Sequence, residues 1–434
     1  MSREFEAAIV DLSHDGRGVA RREGKTVFVS GALPGERVRA RQTGRRRSFD
    51  EAVTLEVLER APDRVEPRCP HFGQCGGCTL QHMDAQRQIQ AKQRVLVENL
   101  ARIGHVEAAS VLAPLTAEPW GYRRKARLGV KWVEKKGRAV VGFREAGNPR
   151  FIADLSRCEV LVPAVGERIA AISALLTSLD ARAQLPQIEV AAGDDTVALV
   201  FRHLQPISDG DRRKLVDFGR THGFAIFLQP GGVDSVHALW PESPTLEFSI
   251  AGHELRLAFL PLDFVQVNTS MNHRMVDHAL ALLDPQPTDR VLDLFCGLGN
   301  FTLPIARRAG AVVGVEGEAG LVQRARDNAV ANGIGNARFH VADLCVDLHG
   351  EPWYGQGFDR ILLDPPRSGA EAVVRSLPLE AARRIVYVSC HPGSLARDAG
   401  ILVHERGFVL RAAGVMDMFP HTAHVESIAM FERS

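Results

Sequence analysis

The sequence predicts a multidomain protein. It has a small β-barrel over residues 1–60, a mixed α+β central domain over 61–260, and a doubly wound parallel α/β sheet over 261–434. Three observations predict it. Short alternating runs separated by turn signals fill the first sixty residues. A proline-broken linker then leads into three close cysteines and a strongly basic stretch. In the last third, apolar runs ending in small or acidic residues alternate with helical segments, the pattern of a doubly wound sheet.

The composition bounds the function without naming it. The 434 residues carry a net charge of +1, so any surface for a polyanion must be local. The start, "MSREFEAAIV", lacks the basic-then-apolar layout of a secretory leader. Apolar runs fall short of the roughly 20 residues that a membrane span needs. The expected location is therefore the cytoplasm, with no membrane partner. In that compartment clustered cysteines point to metal or catalysis rather than disulfides, and seven is an odd number to pair.

In the first segment, "FEAAIVDL", "KTVFVSG", "ERVRARQ" and "AVTLEVLER" alternate apolar and polar residues, with "HDGRG" and "ALPGE" as turns. Strands this short and evenly spaced suit an OB-like barrel. "RVRARQTGRRR" places Arg37, Arg39 and Arg41 on one strand face, followed by Arg45, Arg46 and Arg47. The run reads as a phosphate-binding edge or as an ordinary solvated surface. After the linker "APDRVEPRCP", the spacing of Ile89, Leu96, Leu100 and Ile103 predicts a helix with one apolar face.

Residues 119–150 carry ten basic side chains against two acids, with Trp120, Tyr122, Trp132 and Phe143 interleaved. Basic groups attract phosphate, and aromatic faces stack on unpaired bases, so the stretch predicts an RNA-binding sheet. The bland alternative makes the aromatics the core side of that sheet. Residues 151–250 show no chemistry.

The third part opens with "VLDLFCGLGNF", a strand feeding a glycine turn and a helix. Gly297 and Gly299 let the backbone approach a ligand, but the spacing is not that of a dinucleotide fingerprint. The next strand ends at Glu316, near the offset of about 20 residues at which an acid meets ribose hydroxyls. Further strands end at Asp343 and at Asp364 of "DPPR". Acids at successive strand ends suit ribose, an exocyclic amine and a cationic centre. S-adenosylmethionine has all three. Helix capping is the competing explanation for each acid taken alone.

Two more residues narrow the chemistry. "VYVSCHP" puts Cys390 at the end of a buried strand, and "DMFPHTAHVES" places Glu426 before another apolar run. Carbon 5 of uracil cannot attack a methyl sulfonium unaided. A thiolate adding to C6 makes C5 nucleophilic, and a base must then take the C5 proton. Cys390 and Glu426 supply one of each.

"DLFCGLGNF", "LLDPPRSG", "VSCHPGSLARD" and "DMFPHTAHVES" resemble the signature stretches of RNA uracil-C5-methyltransferases. "CPHFGQCGGCTLQH" resembles the iron-sulfur motif of the ribosomal branch, which acts on uracil 1939 of 23S rRNA, and the N-terminal barrel resembles a TRAM domain. The resemblance implies Cys390 as nucleophile and Glu426 as base. It implies Gln266, Phe295, Asn300, Glu316, Asp343 and Asp364 as cofactor contacts. A target inside folded 23S rRNA would have to be drawn out of its stack to reach Cys390, and the protein is expected to act as a monomer. His391 departs from the family, where asparagine commonly follows the nucleophile. Other readings are a tRNA uridine as substrate, and a catalytically inactive RNA-binding relative. An amine-methylating enzyme is disfavoured because Arg367, not an aromatic, follows the proline pair.

The cysteines Cys69, Cys75 and Cys78 then look like three corners of a site. Cys390 belongs to the chemistry, Cys296 to the cofactor turn, and Cys345 follows Asp343, which leaves Cys158 as the fourth. The family pattern agrees and implies a [4Fe–4S] cluster on these four residues. Zinc suits four thiolates equally well, and His71 and His82 are substitute ligands.

Overall fold

The structure is a computed structural model that describes residues 4–346 and 348–433. The chain divides into two compact units: Met1–Val95 with Phe143–Ala153 and Phe419–His424, and Leu96–Gly142 with Asp154–Met418 and Val425–Ser434.

In the first unit, strands β1 (Glu4–Ala8), β2 (Asp11–Leu12), β3 (Gly18–Arg22), β4 (Lys25–Ser30), β5 (Arg37–Arg45) and β6 (Phe49–Glu59) form one sheet in the order β1-β5-β6-β4-β3-β2. Alternation builds it. Val27, Val29, Val38, Ala40 and Ala52 point into a common apolar core, while the β5 arginines face out as expected. Two of Arg37, Arg39 and Arg41 already have acidic partners on the barrel. Arg37 is paired with Glu6 at 2.8 Å and Glu59 at 2.7 Å, and Arg39 with Glu56 at 2.8 Å and Glu4 at 3.4 Å. The flanking strands β1 and β6 carry glutamates on the same face, a match that the sequence of β5 alone could not show. Arg45, Arg46 and Arg47 remain exposed at the turn into β6.

The rest of this unit is held by backbone bonds across distant segments. The Gly76 amide donates to the Arg144 carbonyl, and the Ala146 amide to that of Gln74, both at 2.8 Å. The amides of Thr79 and Leu80 both donate to the His421 carbonyl at 2.9 Å. Gln88 is buried, accepts from the His421 amide at 2.9 Å and donates to the Leu80 and Met83 carbonyls. The predicted helix runs Ala85–Asn99 and buries Ile89, Leu96 and Leu100 (the last just past its end), but Ile103 is 47% exposed. The chain passes into a π-helical turn at Leu100–Gly104, whose wider spacing takes Ile103 off the apolar stripe.

The second unit holds β7 (Ser110–Val111) and then a sheet of β8 (Lys125–Val133), β9 (Arg138–Gly142), β10 (Gln187–Ala192), β11 (Val197–Arg202), β12 (Phe224–Gln229) and β13 (His237–Trp240), in the order β13-β12-β11-β10-β8-β9. Arg127 and Lys131 of β8 face out, as the basic-sheet reading expects. Tyr122 is buried, and the Arg182 guanidinium lies 4.9 Å over the Trp132 ring, so these two aromatics serve packing as the bland alternative had it. The hairpin β14 (Glu247–Ile250) and β15 (Leu255–Ala258) follows.

The last third holds β16 (Arg290–Leu294), β17 (Ala311–Glu316), β18 (Ala337–Val341), β19 (Arg360–Leu363), β20 (Arg384–Ser389), β21 (Phe408–Met416) and β22 (Glu426–Arg433). They lie in the order β18-β17-β16-β19-β20-β22-β21-β7. Strands β16 to β20 are parallel and β22 runs against both its neighbours. Near-continuous burial along β16, β19 and β20 reflects helices on both faces, as a parallel sheet requires. Among the described residues no helix is long and apolar enough to cross a membrane.

Candidate active site

The parallel strands deliver their carboxyl ends to one end of the sheet: Phe295 after β16, Glu316 closing β17, Asp364 after β19 and Cys390 after β20. Strand β22 runs the other way, so its first residue, Glu426, reaches that same end. Ser389 pairs with Ser427, and one further step in this register sets Cys390 opposite Glu426. The Ser427 hydroxyl donates to the Ser389 carbonyl at 3.1 Å and closes the ladder there. The two residues picked for complementary chemistry thus stand across one strand pair.

Burial pushes the Cys390 thiol up to about 11, the carboxylates of Glu426 and Asp364 add to the rise, and Arg367 opposes it. Glu426 is itself buried. Beside them, burial and the charge of Glu316 raise Asp364 to about 7. Asp293, inside β16, is likewise raised to about 7 by burial, helped by Asp364 and Glu316. One Asp293 oxygen accepts from the Thr302 hydroxyl; the other, Oδ1, has no hydrogen-bond partner among the described residues. Three crowded carboxylates and an orphaned buried oxygen suit a cationic ligand with hydrogen-bond donors.

The remaining predicted contacts differ in how they are held. Phe295 is in the left-handed conformation at φ 64°, followed by Gly297 at 55° and Gly299 at 100°, so the turn after β16 folds back tightly. Glu316 accepts from the amides of Gly297 at 3.2 Å, Gly317 at 2.8 Å and Glu318 at 3.1 Å, which ties two strand ends together. Asn300 and Asn272 exchange reciprocal amide bonds at 2.9 Å. Gln266 is half-buried in the segment after β15. Asp343 lies two residues beyond β18, is exposed, and accepts from the Cys345 amide at 2.9 Å.

His391 has a structural reason. Its Nδ1 accepts from the Ser394 amide at 3.1 Å and caps the helix Pro392–His404, the task asparagine performs well. Cys69, Cys75 and Cys78 are half-buried in the first unit and Cys158 is half-buried in the second; none of the described cysteines is in a disulfide. The Gly77 amide donates to Cys75 Sγ at 3.4 Å, as amides do to thiolate sulfur. In chemistry this donor set suits a thiolate-bound cluster. Among the described residues no group of three or more His, Cys, Asp or Glu side chains is gathered as a metal site. His82 is buried and pushed down to about 4, chiefly by burial and also by Arg64.

Sequence reasoning missed Asp293, Thr302 and Asn272, and treated Arg367 only as the absence of an aromatic. An acid inside the apolar run "VLDLF" was the one available signal for Asp293.

Comparison with known proteins agrees with this geometry. The family profile described as tRNA (Uracil-5-)-methyltransferase matches residues 242–434, and that of the TRAM domain residues 2–43. The 23S rRNA (uracil(1939)-C(5))-methyltransferase RlmD of Xanthomonas euvesicatoria pv. vesicatoria is 62% identical over 432 residues, 99% of this chain and 97% of that protein. The chain belongs to the 23S rRNA (uracil-C5)-methyltransferase family. Another member of this family, the protein of the same name from Stenotrophomonas maltophilia (strain K279a), is 61% identical over the same shares. The tRNA (uracil-54, C5)-methyltransferase of Pyrococcus abyssi, solved with S-adenosyl-L-homocysteine, shares the fold. It has a TM-score of 0.76 and covers 98% of this chain and 100% of its own at 23% identity.

Proposed function

We propose that this protein uses S-adenosylmethionine to methylate C5 of a uridine in 23S rRNA, the uracil at position 1939. Full-length identity of 62% to enzymes of that name supports the substrate, and the register that sets Cys390 opposite Glu426 supports the chemistry. The donor supplies an electrophilic methyl group on a sulfonium. Cys390 adds as thiolate to C6 of the uracil, which leaves an enolate with a nucleophilic C5. Once C5 carries the methyl group, Glu426 removes its proton, the C5–C6 double bond re-forms, and the thiolate leaves. Gln266, Phe295, Asn300, Glu316, Asp343 and Asp364 hold the donor. Asp293 adds a buried acceptor beside it.

The flipped target base requires the RNA to be gripped outside the pocket. We assign that grip to the barrel of residues 1–60 and the outward basic side chains of the 61–260 stretch, with chemistry in 261–434. The protein is taken to act as a cytoplasmic monomer. On the motif and the family resemblance, Cys69, Cys75, Cys78 and Cys158 hold a [4Fe–4S] cluster with a structural role. Anaerobically purified protein should contain iron and sulfide; zinc without sulfide overturns that assignment.

The deciding experiment offers labelled S-adenosylmethionine with transcribed 23S rRNA or tRNA and maps the modified nucleotide. Label in 23S rRNA at one uridine is expected. Label confined to tRNA rejects the reading.

A further inference from the structure

The mechanism leaves several buried charged groups unused, Asp398 among them. Asp398, in the helix Pro392–His404, is fully buried, yet its carboxylate collects a dense set of donors. The Tyr387 hydroxyl donates to Oδ2 at 2.6 Å, and the Ala370 amide donates to the same oxygen at 2.7 Å. Arg397 donates to Oδ1 through Nε and a terminal nitrogen, both at 2.8 Å, and to the Ser368 carbonyl at 2.8 Å. Tyr387 is also fully buried, and burial beside Asp398 pushes its hydroxyl far above the ordinary range, so it stays a donor.

The turn from Asp364 to Ala370 is therefore gripped at both ends. At its start the Asp364 amide donates to the Leu294 carbonyl at 3.3 Å. At its close Gly369 sits at φ 83°, so near that a Cβ there would lie 2.6 Å from Asp398 Oδ2 and 2.6 Å from an Arg397 nitrogen. Arg367 rides in the middle of this turn, two residues before Gly369.

We infer that Asp398, seated by Tyr387 and Arg397, is a positioning residue that holds the Ser368–Ala370 end of this turn so that Arg367 faces Cys390, while Asp364 is held separately through the Leu294 carbonyl. It touches no reacting atom and acts through the Ala370 amide and the Ser368 carbonyl. This rests on Cys390 as the nucleophile, and Arg367 is the cation that favours its thiolate.

The test needs neither RNA nor turnover, so it stands apart from the substrate assignment. In the full chain, the rate of Cys390 alkylation by iodoacetamide is followed by peptide mass against pH, with thermal unfolding as control. Arg367→Met should slow alkylation at pH 8 by roughly three- to tenfold, because less thiolate forms. Asp398→Asn and Tyr387→Phe should each slow it in the same direction, and Asp398→Asn should add little on top of Arg367→Met. A folded Asp398→Asn with wild-type alkylation would overturn the inference, and so would full additivity with Arg367→Met. Should Asp398→Asn not fold, Tyr387→Phe carries the same two outcomes, since it removes one hydroxyl and no charge.

Discussion

Cys390 and Glu426 stand opposite each other because Ser389 pairs with Ser427 at the mouth of the β20–β22 ladder. The spacing of the proposed nucleophile and base is set by backbone register, not by the 35 residues between them. Removing the base without changing its shape should therefore separate the two halves of the reaction. Glu426→Gln is expected to accumulate a methylated RNA adduct linked to Cys390, visible as a slow band in denaturing gels. Cys390→Ala should form no adduct and fall below about a thousandth of wild-type turnover. Because the Glu426 charge raises the thiol, Glu426→Gln should also speed Cys390 alkylation at pH 8 by roughly threefold or more. Slower alkylation would contradict the geometry.

Asp293 and Asp364 predict a proton signal on donor binding. Both are held up at about 7 in the unliganded protein, and a cation beside them favours the charged forms. Binding of S-adenosylmethionine at about pH 6.5 should release protons. Calorimetry in buffers of different ionisation enthalpy would read this, and neutral S-adenosylhomocysteine should release fewer. Equal release would show that the carboxylates do not sense the sulfonium.

The same two groups fix the sign of a stability effect. Their folded values lie above the ordinary carboxylate value of 3.8, so the folded state binds more protons than the unfolded state between about 4 and 7. Their contribution is fully present in acid and is lost as pH rises through that window. Asp293→Asn should flatten the fall in melting temperature of the unliganded protein; an unchanged slope would count against Asp293.

His391 caps the Pro392–His404 helix through Nδ1. Replacement by alanine should cost about 1 kcal/mol, while asparagine should stay within about 0.5 kcal/mol of wild type. Denaturant titration measures both. An alanine variant as stable as wild type would remove the cap from the account.

On the barrel, Arg37 and Arg39 are exposed but already have glutamate partners, and Arg45, Arg46 and Arg47 are exposed at the turn. Neutralising the latter three should lower the slope of log affinity for rRNA against log salt by roughly two to three. Changing Arg37 and Arg39 should alter it far less. The reverse order would make β5 the phosphate-binding edge.

The parts of this candidate site that could be read in advance share a property: each lies where an apolar run ends or begins. Glu316, Asp364 and Cys390 are marked by the change from apolar to polar at a strand's end, and Glu426 by the start of the next run. Residues inside a run, or dependent on partners far away in the chain, were not legible. Tyr387 looks like core, and only the fold brings its hydroxyl to Asp398 and Ala370. The pairing of Arg39 likewise depends on Glu4 and Glu56, 35 and 17 residues away. Ile103 was misplaced because a π-helical turn breaks the 3.6-residue period on which that reading relied.

The two-residue strand β7 has a practical meaning for anyone who cuts the gene. It lies parallel to β21 through Ser110 and Val111 and covers what would otherwise be the outer rim of the catalytic sheet. A fragment that begins at residue 261 keeps the proposed reacting side chains, Cys390 and Glu426, but loses that cover. Its bare rim would offer unpaired amides and carbonyls to another copy. Such a fragment should self-associate, and one that carries Ser110–Val111 along should be better behaved. The catalytic layer is thus finished by a piece of chain encoded some three hundred residues ahead of its neighbour.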